Sequence, residues 1–185
     1  AEAQIVETAM LATVSFQTMV ASKAIRAAVA AAGRPIVEFG SRRAHGIESG
    51  VLAARAAFIG GGLGTSNVEA GHLFGIPTYG TQAHSWIMAH ENEEEAFGRF
   101  LDLFPRHSVL LVDTYDVHHA VEKIIAMGRQ PRGVRLDSGD LVADSVWTRK
   151  RFDENGWGDV EIFVSGDLDE DRIASLLAAG ARIDT

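Results

Sequence analysis

Residues 108–140 read SVLLVDTYDVHHAVEKIIAMGRQPRGVRLDSGD. An unbroken apolar run, Val109 to Val112, ends on Asp113. Apolar residues at helical spacing follow over about 116–127. A second short strand pattern at 132–136 then ends in Asp137, Ser138, Gly139 and Asp140. Strand, helix, strand with a crossover of this length implies two parallel neighbours joined by a right-handed connection. The same alternation recurs on both sides of this unit. Short apolar runs fall at about 35–39, 56–60, 76–79 and 160–164, and helical patterns at about 44–55, 67–74, 85–103, 141–155 and 169–179. Ahead of them residues 2–31 form an Ala-rich segment with Val6, Met10, Val14, Val20, Ala24 and Ala28 at helical spacing, ended by Gly33 and Pro35. The fold class is α/β with parallel strands, either an open doubly wound sheet or a closed barrel. About six strands fall short of the eight of a regular barrel. A seventh begins at Ala181–Ile183, and the chain reads as part of a longer polypeptide.

The 185 residues carry 17 Lys and Arg against 25 Asp and Glu, a formal charge of −8. That excludes a general binder of nucleic acid or anionic membrane, which needs a positive surface. A hydrophobic content of 46% with 23% charge is enough for a packed core. With no Cys, disulfide frameworks, thiolate zinc sites and Cys nucleophiles are excluded. No uninterrupted apolar run reaches membrane-spanning length and no signal-peptide pattern leads the chain, so a cytoplasmic protein is the expectation.

In either architecture, ligands bind at the carboxyl ends of the strands. Here these tips are polar, Gly-containing or charged. Arg135 and Asp137 lie two apart, so both side chains share one face while Val134 and Leu136 face the helices. Burying either charge alone is costly, so they either form a structural ion pair or hold an anion and orient a hydroxyl, an imidazole or metal-bound water. His84, between Thr81-Gln82-Ala83 and Ser85, is either a hydrogen-bonded loop residue or a nucleophile or general acid/base. Asp113 either caps the next helix or fixes a histidine tautomer, and Asp167 has the same two readings. Gly60, Gly61, Gly62 and Gly64 match neither a P-loop nor a dinucleotide fingerprint. They make a tight strand-to-helix turn or a backbone cradle for an anion. Phe39, at a tip beside Arg42 and Arg43, is core or a stacking surface for a flat anionic ring. His118 and His119 read as surface residues. The acidic run Glu91 to Glu95 reads as a solvated helix start. No protein-ligated metal site is expected.

The segments Glu38-Phe39-Gly40-Ser41-Arg42-Arg43, Gly64-Thr65-Ser66-Asn67, Gly80-Thr81-Gln82-Ala83-His84-Ser85, Asp113-Thr114-Tyr115-Asp116, Gly133 to Asp140 and Ser165-Gly166-Asp167, in this order, resemble the nicotinate phosphoribosyltransferase family over nearly the whole chain. The resemblance implies an irregular parallel (β/α) barrel of the type II phosphoribosyltransferase kind, incomplete in this chain, with residues 1–185 its central part. It implies a reaction of nicotinate and 5-phosphoribosyl 1-pyrophosphate to nicotinate mononucleotide and pyrophosphate, with Mg²⁺, coupled to ATP hydrolysis through a phosphohistidine in NAD salvage. His84 matches the phosphorylated histidine, and Asp113 would hydrogen-bond its other ring nitrogen. Phe39 would stack on the pyridine ring, with Ser66 and Asn67 near the base. Arg42 and Arg135 would line the base and phosphoribosyl pocket, and one of them would face the nicotinate carboxylate. Asp137, and with it Asp140, would contact ribose or Mg²⁺-bound water, and Gly166 and Asp167 would approach the ribose.

The family pattern continues past Thr185 into a Gly-rich phosphate loop and begins with a further N-terminal domain. The 185-residue span by itself is therefore expected to be nearly inactive, and the whole protein to be at least a homodimer. A catalytically silent fragment or binding module, and quinolinate phosphoribosyltransferase, are the competing readings.

Overall fold

Alanine-rich sequence without a breaker makes the first helix, α1, Glu2–Ala30. The computed structural model describes residues 2–185. It separates into two units, one ending at Tyr79 and one of Gly80–Thr185. In the first unit α1 stops where Ala32 and Gly33 take positive φ, 50° and 88°, conformations that end a helix. None of the residues of α1 is buried. By length and composition alone it could cross a membrane, with a mean hydropathy of 1.2 over 18 residues, although no unbroken apolar run has that length. Thr, Ser and Gln interrupt its apolar run without adding charge, so the average stays high where an unbroken run fails. A core helix of a soluble protein meets the same criterion.

The run at 56–60, read as a strand, is instead the end of α2, Ile47–Ile59. Its buried Ala54, Ala56 and Ala57 favour helix. A five-residue apolar run does not distinguish the two states. Gly60 then lets α1 come close. A Cβ there would stand 2.6 Å from the Ala21 carbonyl oxygen and 2.7 Å from Ala24 Cβ. The strand of this region is β2, Gly64–Thr65, parallel to β1, Val37–Glu38. The expected strand at 76–79 contributes one bridge, Thr78 to Thr65. A Cβ on Gly64 would lie 2.3 Å from the Pro77 carbonyl oxygen. Gly61 turns at φ 98°. The glycine run is thus a tight connection that lets helices and strands approach. Asn67 caps α3, Val68–Phe74.

The second unit holds a parallel sheet of β3, Val109–Leu111, β4, Gly133–Leu136, and β5, Glu161–Val164, in that order. The crossovers are α6, Val117–Ala126, and α7, Leu141–Glu154, and α8, Glu170–Ala178, follows β5. Backbone bonds from Asp184 N to Ile162 O (2.9 Å) and from Val164 N to Thr185 O (3.0 Å) lay the expected seventh segment along β5. Val109 to Val112, Val134, Leu136 and Ile162 are buried beneath Phe97, Ile124 and Phe152, each large side chain contributing about 1.5–3 kcal/mol of burial. The helix expected over 85–103 is two, α4, His84–Met88, and α5, Glu93–Leu103. Asn92 separates them by accepting from the Glu95 amide, since an Asn side chain offers the backbone a cap in place of a continuing helix.

Gln82, 1% exposed, completes the outer edge of β3. Its backbone N–H donates to Val109 O at 3.1 Å. Its side-chain Oε1 accepts from Leu111 N at 3.1 Å, and Nε2 donates to Ala96 O at 3.2 Å. One residue thereby stands in for a neighbouring strand, because buried backbone groups need partners.

Candidate functional site

β4 delivers Arg135 and Asp137 as its period-2 pattern requires. Val134 and Leu136 are fully buried, while the Arg135 and Asp137 side chains keep 15% and 18% exposure. Arg135 Nη2 donates to Asp137 Oδ1 at 2.6 Å. Nε donates to Ser165 Oγ at 2.7 Å, and Nη1 to Thr81 Oγ1 at 2.9 Å. The Ser165 hydroxyl in turn donates to Asp137 Oδ1 at 2.5 Å. Burial pushes the Asp137 carboxyl up, but the Ser165 hydroxyl, the Arg135 guanidinium and His84 outweigh it and hold it below the usual carboxylate range. Asp137 therefore stays ionised at neutral pH.

His84 opens α4 and is half-buried. Its Nε2 lies 3.5 Å from Asp137 Oδ2. Its Nδ1 lies 3.2 Å from Thr114 Oγ1. Asp113, expected to hold that second nitrogen, is turned elsewhere. Asp113 Oδ2 accepts from Asp137 N (3.0 Å) and Ser138 Oγ (2.5 Å). Its Oδ1 is buried without a hydrogen-bond partner among the described residues. The carboxylate thus ties the β3 tip to the β4 tip. Two donors already converge on it there, and Thr114 is left to meet the ring.

The capping readings of Asp113 and Asp167 are also corrected. Asp116 caps α6 by accepting from His119 N at 2.8 Å. Asp169 caps α8 by accepting from Arg172 N at 2.8 Å. Asp140 is the cap of α7, bonded to the amides of Val142 and Ala143, so its carboxylate is committed to backbone. Gly166, φ 102°, brings the β5 tip against β4, where a Cβ would stand 2.3 Å from Asp137 O. Asp167 follows it in the left-handed region, φ 54°.

The other predicted residues belong to the first unit. Phe39 is half-buried at the end of β1, and Arg42 is exposed in the 3-10 turn Ser41–Arg43. Ser66 N donates to Glu38 O at 2.9 Å. Asn67 Oδ1 accepts from Ala70 N (2.9 Å) while Nδ2 donates to Ser41 Oγ (3.1 Å). That bond joins the segment carrying Arg42 to the segment carrying Ser66.

Two bland readings change in detail. Glu93, expected in solvent, is 4% exposed and paired with Lys123 Nζ at 3.1 Å. The Glu93 hydrogen bond holds the Lys123 ammonium above its ordinary value. His118 is exposed as expected, yet it stacks on Trp147 with centroids 3.9 Å apart and faces Asp144 at 3.6 Å. A cavity of about 300 Å³ opens there between Asp116, Ser138 and Asp144. Burial pushes the Asp144 carboxyl up.

Thr81, Gln82, Thr114, Ser138 and Ser165 organise the site and were not singled out by sequence reasoning. Their signal is membership of the polar strand-tip segments 80–85, 113–116, 133–140 and 165–167, which assigns none of them a role. Among the described residues no three His, Asp or Glu side chains gather as a metal cluster.

The Nicotinate phosphoribosyltransferase (NAPRTase) family model matches residues 35–179. Nicotinate phosphoribosyltransferase pncB2 of Mycobacterium tuberculosis is 48% identical over 189 residues, covering 99% of this chain and 41% of that protein. Nicotinate phosphoribosyltransferase of Bacillus subtilis is 43% identical over 190 residues, covering 99% of this chain and 39% of that protein. The crystal structure of human nicotinic acid phosphoribosyltransferase superposes with a TM-score of 0.83 at 28% identity, covering 98% of this chain and 49% of that chain. The chain thus spans about four-tenths of the length of the curated relatives it matches. The parallel α/β arrangement is that of part of these enzymes' fold.

Proposed function

Because the chain belongs to the nicotinate phosphoribosyltransferase family, we propose that the protein joins nicotinate to 5-phosphoribosyl 1-pyrophosphate, forming nicotinate mononucleotide and pyrophosphate, and couples this to ATP hydrolysis through a phosphohistidine at His84. The observation that carries the reading is the His84 ring set 3.5 Å from Asp137, itself locked to Arg135 at 2.6 Å.

In the phosphorylation step the Nε2 lone pair forms the N–P bond. The bond from the γ-phosphorus to the bridging oxygen breaks, and ADP leaves with the electron pair. The ring becomes an imidazolium-like cation with its remaining proton on Nδ1, and the ionised Asp137 stabilises that charge. In the transfer step the nicotinate ring nitrogen bonds the anomeric carbon as the bond to pyrophosphate breaks. Positive charge develops on the ribose and negative charge on the leaving group, which calls for fixed carboxylates and guanidinium groups. Asp137 serves the first and Arg135 the second. Phe39 stacks on the pyridine ring, and Arg42 or Arg135 faces its carboxylate, a charge-assisted bond worth about 1.5–3 kcal/mol.

Mg²⁺ fits as a cation carried by the substrate phosphates. Asp137 Oδ2 is the hard oxygen that would meet its water shell, because the bonds from Arg135 and Ser165 go to Oδ1. When bound, it supplies neutralisation of phosphate charge. Cytoplasmic residence and a homodimer or higher oligomer belong to the same proposal.

The test uses the whole protein with γ-labelled ATP and compares nicotinate with quinolinate. Acid-labile label on the protein that disappears in His84→Ala, with nicotinate mononucleotide as product, is expected. Undiminished label in His84→Ala sinks the phosphohistidine assignment, and a preference for quinolinate sinks the substrate.

A further inference from the structure

The partners of the two nitrogens of His84 differ in kind. Asp137, on the Nε2 side, is an ionised carboxylate and can only accept. Thr114, on the Nδ1 side, is a hydroxyl and can donate or accept. A neutral imidazole has one N–H to place. Facing Asp137 alone, the ring would put its proton on Nε2 and turn its lone pair to Nδ1, toward the half-buried Thr114. The electron pair would then be on the wrong side for a phosphoryl group arriving at Nε2.

We propose that Thr114 is the positioning residue of His84: its hydroxyl accepts the Nδ1–H and so sustains the tautomer that leaves the Nε2 lone pair available. This role rests on His84 acting as the nucleophile. Asp113, one residue earlier, does not supply it, since its Oδ2 is held by Asp137 N and Ser138 Oγ and its Oδ1 makes no hydrogen bond to the ring. The requirement grows once Nε2 is loaded. The only ring proton is then on Nδ1, and an acceptor must be waiting there. Threonine suits the task because its β-branch restricts χ1 and holds the hydroxyl in one place.

The experiment follows the ring in protein carrying ¹⁵N-labelled histidine. The ¹⁵N shifts of His84 give the Nδ1–H to Nε2–H ratio across pH in the wild type, Thr114→Val, Thr114→Ser and Asp113→Asn. One lost hydrogen bond corresponds to about a two- to tenfold change. Thr114→Val, nearly isosteric, is expected to deplete the Nδ1–H tautomer by that factor, and Thr114→Ser to restore most of it. An unchanged ratio in Thr114→Val, or an equal shift in Asp113→Asn with Thr114 intact, overturns the proposal. In parallel, Thr114→Val should slow acid-labile labelling from γ-labelled ATP by a similar factor with the KM for ATP unchanged. If the wild type itself takes no label, the phosphohistidine reading fails, while the tautomer ratio still decides the role of Thr114.

Discussion

Replacing Gln82 by Leu tests the most concentrated polar contact in the second unit. Leucine keeps most of the volume and removes both polar ends. The backbone bond from residue 82 to Val109 O survives, so the loop need not detach. Ala96 O loses one side-chain donor but keeps Trp86 Nε1 at 3.0 Å, so little is lost there. Leu111 N–H loses its acceptor in a fully buried strand. An orphaned buried donor costs about 1–3 kcal/mol. With a urea m-value of about 2 kcal/mol/M, the midpoint should fall by about 0.5–1.5 M with m unchanged. The three tryptophans, Trp86, Trp147 and Trp157, all lie after Tyr79, so their fluorescence follows this unit. Hydrogen exchange adds the local view. The Leu111 amide should lose protection while Val112, bonded to Arg135 O, retains it. Gln82→Glu should be worse than Leu at pH 7 and recover as pH falls, since a protonated carboxyl can donate to Ala96 O and accept from Leu111 N as glutamine does. A midpoint shift near zero, or Leu111 exchange as slow as that of Val112, refutes the reasoning.

Asp137 has a lowered pKa, so its contribution to stability should be complete above the ordinary carboxylate value of 3.8 and be lost as pH falls through the lower folded value. Asp137→Asn should remove that acid dependence and cost about 1–3 kcal/mol at pH 7 by replacing the carboxylate that Arg135 Nη2 bonds with a neutral amide, measured as urea midpoints at several pH values. Gly60→Ala should separate α1 from α2, because the added Cβ meets backbone at 2.6 Å; a loss of about 1–3 kcal/mol is expected by circular dichroism melting, and unchanged stability contradicts the packing.

The parts of the fold legible in sequence are those whose pattern is unbroken. Val109 to Val112 and Val134 with Leu136, bounded by turn residues and flanked by helical patterns, read as buried strands. The same-face logic that put Arg135 beside Asp137 needed nothing beyond the two-residue period. Alanine defeated the reading at 56–60, since Ala54, Ala56 and Ala57 fit a buried helix as well as a strand. β1 and β2, two residues each, are too short to leave a pattern, and a lone Asn92 was enough to split one expected helix in two. Within the site, residue types and neighbourhood were legible but partners were not. Whether Asp113 reaches His84 depends on where the Asp137 amide points, which is a property of the β4 tip backbone. Thr114, Ser165 and Gln82 stand inside the strand-tip motifs, but no period assigns them a role, and only contacts between distant segments reveal it.

The pairing of Arg135 with Asp137 has an electrical consequence. Its guanidinium charge is offset within 2.6 Å, the same strand tips carry Asp113 and Asp140, and Asp144 follows in the first turn of α7. Seen from a distance, this end of the second unit draws positive ions and turns phosphates away. On the proposed function a polyphosphate would arrive with its countercharge already attached, and raising the ionic strength should leave its capture undiminished, since what salt screens there is a repulsion.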